Sequence, residues 1–210
     1  MIFKGTVKIG EIYYGGTLIG KVFKGKTKVW DVNPYEKGEV VSYQSPGKYE
    51  GTLSVGVWTV SLCGSGGSGL GWALEGYPWA ANGGSGAFAE VTFYNPVSRK
   101  IVLFAPAGNE AGSLDGAAAY MELDGERMIT AGGGTKGVFN SGGKGGVVTI
   151  AEALDVLSET KINGNDGGVK LSFDEGSGGE SVSKYDEWGK GSRDGSNAGG
   201  LRLDYERHVR

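Results

Sequence analysis

The stretch SLCGSGGSG (residues 61–69) follows the apolar run VWTV and holds Gly64, Gly66 and Gly69 in G-x-G-x-x-G spacing. That spacing binds a dinucleotide only where the glycines join a buried strand to a helix, whose free N–H groups then hold the pyrophosphate. The residues that follow, LGWALEGYPW, carry Gly71, Gly76 and Pro78, which interrupt any run long enough for three helical turns. No βαβ unit can be traced, so no nucleotide cofactor is expected.

Another period organises these glycines. Gly64 and Gly67, Gly66 and Gly69, Gly83 and Gly86, Gly134 and Gly137, and Gly142 and Gly145 are each three residues apart. Three is the period of the polyproline II conformation, in which glycine on successive turns lets neighbouring backbones approach closely. Collagen's strict triplet and its proline are absent, so a bundle of short polyglycine II helices is the better expectation.

Composition agrees with a folded chain. Of 210 residues 42 are Gly, against a usual share of about 7%. Yet 39% of residues are hydrophobic and only 5 are Pro, so material for a core is present and low-complexity disorder is disfavoured. No apolar run approaches the roughly 18 residues of a membrane span, and MIFKGTVKIG has no signal-peptide core. The expectation is a soluble protein made in the cytoplasm, without membrane insertion. Cys63 is the only cysteine and His208 the only histidine, which argues against zinc sites and histidine-based triads.

The first 30 residues repeat. IFKGTVKIGE, IYYGGTLIGK and VFKGKTKVWD align without a gap, and Gly5-Thr6, Gly15-Gly16 and Gly25-Lys26 fall at the same beat. Gly at the first of two turn positions suits a type II′ hairpin. The β-branched and aromatic residues between read as strands, giving an antiparallel β-meander over residues 1–32. Gly20, Gly25, Lys26 and Thr27 match G-x-x-x-x-G-K-[ST], but a phosphate loop needs a helix after it and this segment reads as a hairpin. Six lysines and one glutamate give the module a charge of +5 and leave −8 for the rest. Lysines beside Phe3, Tyr13, Tyr14 and Phe23 resemble a single-strand nucleic-acid platform. Lysine also guards exposed strands against aggregation and docks a basic sheet on an acidic neighbour, and no nucleic-acid partner is expected.

After Asn33-Pro34 a second domain, residues 33–210, alternates strands with glycine clusters. AFAEVTFY and KIVLFAPAG meet at Asn95-Pro96, and AAAYMELDGERMITA carries an Asp124-Gly125 hairpin signal. The fold expected is all-β with a glycine-rich irregular core: a small N-terminal meander, then a β-scaffold carrying polyglycine II helices.

The order WTVSLCGSGGSG, GGSGAFAEVTF, LDGERMITAGGGTKG, GGKGG, YDEWGKGSRDG and GGLRLDYERHV resembles the glycine-rich domain of bacteriophage tail fibres, tail adhesins and minor tail proteins. The decamer head resembles N-terminal segments of prophage tail structural proteins. The resemblance implies a virion tail location and loops that face a host receptor. It also implies other tail proteins as partners, a host cell-surface protein or glycan as target, and a fibre that is often a homotrimer.

TIAEALDVLSETK reads two ways. Thr149 and Glu152 have capping-box spacing with Ile150, Ala153, Leu154 and Leu157 on one helical face, whereas the resemblance implies strands with Asn163-Gly164 as a turn. NGNDGG (residues 163–168) has oxygens suited to calcium but lacks EF-hand ligand spacing, so a turn and no metal is expected. The acidic pairs Asp174-Glu175 and Asp186-Glu187 fit a tail-spike-type glycosidase only if folding sets two carboxyl groups about 5 to 10 Å apart. Adjacent acids belong more often to a solvated face, so no catalytic residue is assigned.

Candidate receptor contacts are aromatic: Trp72, Tyr77 and Trp79 in GWALEGYPW, and Tyr185 and Trp188 in SKYDEWGKG. Such rings stack on sugars or anchor on a protein surface, and they equally serve to cover the bundle's own ends. The function expected is a noncatalytic phage or prophage tail structural protein. A bacterial cell-surface adhesion or carbohydrate-binding module is the alternative.

Overall fold

The computed structural model describes residues 13–14, 17–18, 21–24, 27–31, 37–43, 46–69, 80–109, 114–138, 141–170, 179, 181–184, 188–191 and 196–207. Among them every regular element is a strand, and each pairing is antiparallel.

In the N-terminal module β1 (Tyr13–Tyr14) pairs with β2 (Thr17–Leu18), and β3 (Lys21–Lys24) with β4 (Thr27–Asp31). The registers close at Tyr14↔Thr17 and Lys24↔Thr27; the expected turns at Gly15-Gly16 and Gly25-Lys26 lie outside the described residues. Within the phosphate-loop pattern, Lys21–Lys24 and Thr27 lie on two strands that pair with each other. The expected turn at Gly5-Thr6 lies outside the described residues.

The larger part is two five-stranded sheets packed face to face. One has the order β13-β12-β11-β10-β6, the other β14-β9-β7-β16-β5. Their strands are β5 (Gly38–Tyr43), β6 (Gly47–Leu53), β7 (Gly56–Cys63), β9 (Phe88–Asn95), β10 (Arg99–Ala105), β11 (Ala119–Leu123), β12 (Glu126–Ala131), β13 (Val148–Ile150), β14 (Val156–Ile162) and β16 (Gly200–Arg207); the short β8 (Ala80–Ala81) and β15 (Val169–Lys170) pair apart. Alternation drives the packing. On β9, Val91 and Phe93 are buried while Thr92 and Tyr94 are not; on β10 and β11 the buried set is Ile101, Leu103, Ala105, Ala119, Met121 and Leu123. Those side chains meet Trp58, Val60, Leu62, Leu201 and Leu203 from the facing sheet in one apolar core. The apolar core thus lies between sheets of ordinary strands. Trp58 packs edge-on to Tyr205 with ring centroids 5.0 Å apart.

Asp124-Gly125 is the turn its sequence promises. Both residues have positive φ, 52° and 88°, which a two-residue type I′ hairpin between Leu123 and Glu126 requires. The Asp124 carboxylate accepts the Lys100 N–H at 2.9 Å, tying the turn to β10.

Residues 149–161 are not a helix. Thr149 pairs with Thr130, the chain turns at Glu152-Ala153, and β14 then pairs along β9. A helix here would forfeit both ladders. The turn carries the chain from one sheet to the other, and Leu154 plugs the core beneath it at 7% exposure.

Candidate functional site

Eight strands continue into extended segments at one end of the sandwich. β7, β10, β12 and β14 run out into residues 64–69, 106–109, 132–137 and 163–168; residues 82–87, 114–117, 142–147 and 196–199 run back into β9, β11, β13 and β16. Hydrogen bonds join these segments in a pattern no strand pair produces. Gly64, Ser65 and Gly66 donate their N–H groups to Ala87, Ala117 and Asn197, and Gly67 and Ser68 then return to Gly84 and Leu114. Donor direction therefore repeats every third residue, where a β-strand alternates every second.

The neighbours follow the same rule. Asn82 and Ser85 donate to Gly168 and Asn165, whereas Gly84 and Ala87 donate to Thr135 and Gly132. Gly132 and Thr135 reach Val147 and Lys144, while Gly134 and Gly137 reach Ser65 and Ser68. Gly143 and Gly146 bond Asn82 and Ser85, and Gly164 and Gly167 bond Gly146 and Gly143.

Glycine is required here by space rather than by dihedral angle. A Cβ on Gly67 would strike the Thr135 carbonyl, one on Gly134 that of Gly84, and one on Gly145 that of Gly164, all inside the 3.0 Å that real Cβ atoms keep. Serine enters where its hydroxyl has a partner. Ser65 donates its N–H to the Ala117 carbonyl at 3.0 Å and accepts the Ala117 N–H on Oγ at 2.8 Å. Ser68 does the same with Leu114 (2.9 and 2.7 Å), and Ser85 with Asn165 (2.9 and 2.8 Å). All three serines are fully buried, so these bonds satisfy groups that water cannot reach.

Asn163-Gly164 is not a turn. Residues 163–168 are one of the extended segments, bonded on one side to residues 143–146 and on the other to 82–85. The Asp166 carboxylate accepts the Lys144 ammonium at 2.7 Å and the Gly145 N–H at 2.9 Å. These two donors hold its carboxyl below the usual value of 3.8. Among the described residues no group of three His, Cys, Asp or Glu side chains is placed to hold a metal.

Of the aromatic candidates, Trp188 alone lies among the described residues. Trp188 is 3% exposed and packs with Cys63 and Phe88, the last residue of β7 and the first of β9, with Val182 beside them. A Cβ on Gly200 would strike its indole. It sits where the segments leave the sandwich, facing the interior, because the chain returns to that level before residues 188–191 run out again beside 196–199. As a receptor contact Trp188 would have to leave this packing. Burial also pushes the Cys63 thiol up to about 12.

Trp72, Tyr77, Trp79 and Tyr185 lie outside the described residues, as do Asp174, Glu175, Asp186 and Glu187. The described chain stops at Gly69 and resumes at Ala80, both at the far end, six extended residues or about 20 Å beyond Cys63. The pairs Asn109 and Leu114, Val138 and Ser141, Lys170 and Gly179, and Gly191 and Ser196 bound the other gaps on that side. Three large apolar side chains that sequence patterning missed are exposed at this far end: Leu114 (50%), Val138 (43%) and Val169 (38%). Their signal was weak, since each stands in a short stretch between glycines. Ser68 brings two of them together, bonding Leu114 through its N–H and hydroxyl and accepting the N–H of Gly137, next to Val138.

Comparison with models of known protein families finds no match, and comparison with curated proteins finds none.

Proposed function

We propose that residues 64–69, 82–87, 114–117, 132–137, 142–147 and 163–168 form a bundle of polyglycine II helices, and that the chain is a noncatalytic phage or prophage tail component. The bundle's far end meets the host surface, with the exposed Leu114 and Val138 among its contacts; Trp72, Tyr77 and Trp79 are the receptor contacts read from the sequence. The observation that carries the reading is the three-residue repeat of donor directions among closely packed glycines. Polyproline II chains make no internal hydrogen bonds, so each rod must find its partners in its neighbours, and glycine alone permits that approach. A rigid bundle of this kind suits a binding end, because fixed backbones hold variable connections without an ordering cost at contact.

The N-terminal repeat module is the attachment piece toward other tail proteins, and the target at the far end is a host cell-surface protein or glycan. The test is binding of the full chain to a panel of bacterial cells and purified surface glycans. Trp79→Ala should weaken binding about tenfold or more, as truncation of a buried aromatic anchor does, and leave thermal melting unchanged. Trp188→Ala should instead lower the melting temperature. Equal binding by the Trp79 variant across the panel would remove the far end as the receptor face. Tail genes beside the coding gene separate this reading from a chromosomal adhesion module.

A further inference from the structure

We propose that β14 is a self-pairing edge, joining antiparallel to β14 of a second copy about a twofold axis at Thr160. Among the described residues β14 pairs only with β9, which leaves its other edge without a ladder partner. From Leu157 to Ile162 every residue of the strand is exposed, and Leu157 (52%) and Ile162 (40%) are large and apolar. Among the described residues no other outermost strand of either sheet carries an exposed large apolar side chain. An open edge with such residues is a template for a further strand.

The strand is complementary to itself. Reading VLSETKI, a twofold at Thr160 sets Glu159 opposite the second copy's Lys161 and Lys161 opposite its Glu159. Ile162 then faces Ser158, with Thr160 beside it on the same side of the sheet. Slipping by one residue would set Glu159 opposite Thr160 and lose both charge pairs, so the charges select the register. Within each copy Glu159 and Lys161 pair at 2.6 Å, and the dimer exchanges those two contacts, one per copy, for two between copies. An isologous contact closes on itself, so the product is a dimer with one continuous ten-stranded sheet, five strands from each copy. Its two glycine ends point to opposite poles. This pairing does not depend on the tail reading.

Charge exchange on the intact chain tests it by sedimentation velocity at rising protein concentration. Wild type should dimerise. Glu159→Lys alone and Lys161→Glu alone should each weaken dimerisation about tenfold or more by placing like charges opposite, with unchanged melting curves. Mixing the two single variants should restore a dimer, as should the double exchange within one chain. A wild-type monomer at the highest soluble concentration, a trimer, or single variants that dimerise like wild type would each overturn the proposal.

Discussion

Replacing Gly67 with alanine is the sharpest perturbation of the glycine segments. The added methyl has no rotamer by which to escape, and it points at backbone: the Thr135 carbonyl on one side, with that of Gly134 at 2.9 Å. Relief requires residues 64–69 and 132–137 to separate by about 1 Å to reach ordinary contact. The Gly134–Ser65 bond (3.0 Å) and the Gly137–Ser68 bond (3.1 Å), which join those two segments, then stretch beyond hydrogen-bonding distance. Overpacking costs about 1–3 kcal/mol and each lost buried bond about 1 kcal/mol, so the sum is about 3–5 kcal/mol. For a chain of this length that lowers the melting temperature by about 6–20 °C. The assay is a thermal melt beside amide hydrogen exchange of residues 64–69 and 132–137, with the exposed substitution Lys136→Ala as control. Melting of Gly67→Ala within about 1 °C of wild type, with exchange unchanged, would refute the close backbone packing.

Ser65→Ala leaves the Ala117 N–H without its hydroxyl partner in a dry interior and should cost about 1–3 kcal/mol by denaturant unfolding. Cys63, fully buried with its thiol pushed up to about 12, should resist alkylation at pH 8 in the native protein and react on unfolding; rapid native labelling would contradict its place beside Trp188. The Asp166 carboxyl titrates below 3.8 because Lys144 and the Gly145 N–H favour its charged form. Its folded value being depressed, its contribution is present above the unfolded carboxylate range and lost as pH falls through the folded value. A carboxyl-carbon NMR titration should follow this, and Lys144→Ala should move the midpoint upward.

The legible features were local. Alternation in AFAEVTFY and KIVLFAPAG suffices to mark two strands, since each buries every second residue whatever its neighbours. Their placement in opposite sheets does not follow from alternation; it depends on where Asn95 anchors, with Nδ2 donating to the Ser54 carbonyl at 2.9 Å. Residues 149–161 satisfied a helical pattern because Ile150 and Leu154 both reach the core, and only the long-range ladders to β12 and β9 decide between the two. The glycine spacing of three, legible in the sequence, coincides with the three-residue repeat of hydrogen-bond directions at Gly64/Gly67 and Gly134/Gly137. Which end Trp188 occupies was not legible, because Gly189, whose φ of 70° turns the chain there, is one glycine among many and nothing local sets it apart.

The sandwich and the glycine segments are one construction. A glycine chain loses more conformational freedom on ordering than any other, about 1–2 kcal/mol per residue, and an isolated extended rod makes no bond with itself to offset that loss. Ordering therefore has to be imposed from outside. Each of the eight segments begins or ends on a strand whose direction and lateral position are already set by the apolar core. Adjacent strands lie about 4.8 Å apart and facing sheets about 10 Å, so the segments emerge as a two-layer array already near bonding distance. Cross-layer bonds such as Ser65 to Ala117 and Ala87 to Gly132 then close the space between the layers, which large side chains fill inside the sandwich and glycine hydrogens and small bonded side chains such as Ser65 fill beyond it. The changeover falls at Cys63, Phe88 and Trp188, where bulky side chains plug the last gap before the two layers draw together. Rigidity at the far end is in this sense inherited from Trp58, Phe93 and Leu103 in the sandwich core, residues that touch none of the glycine segments' bonds.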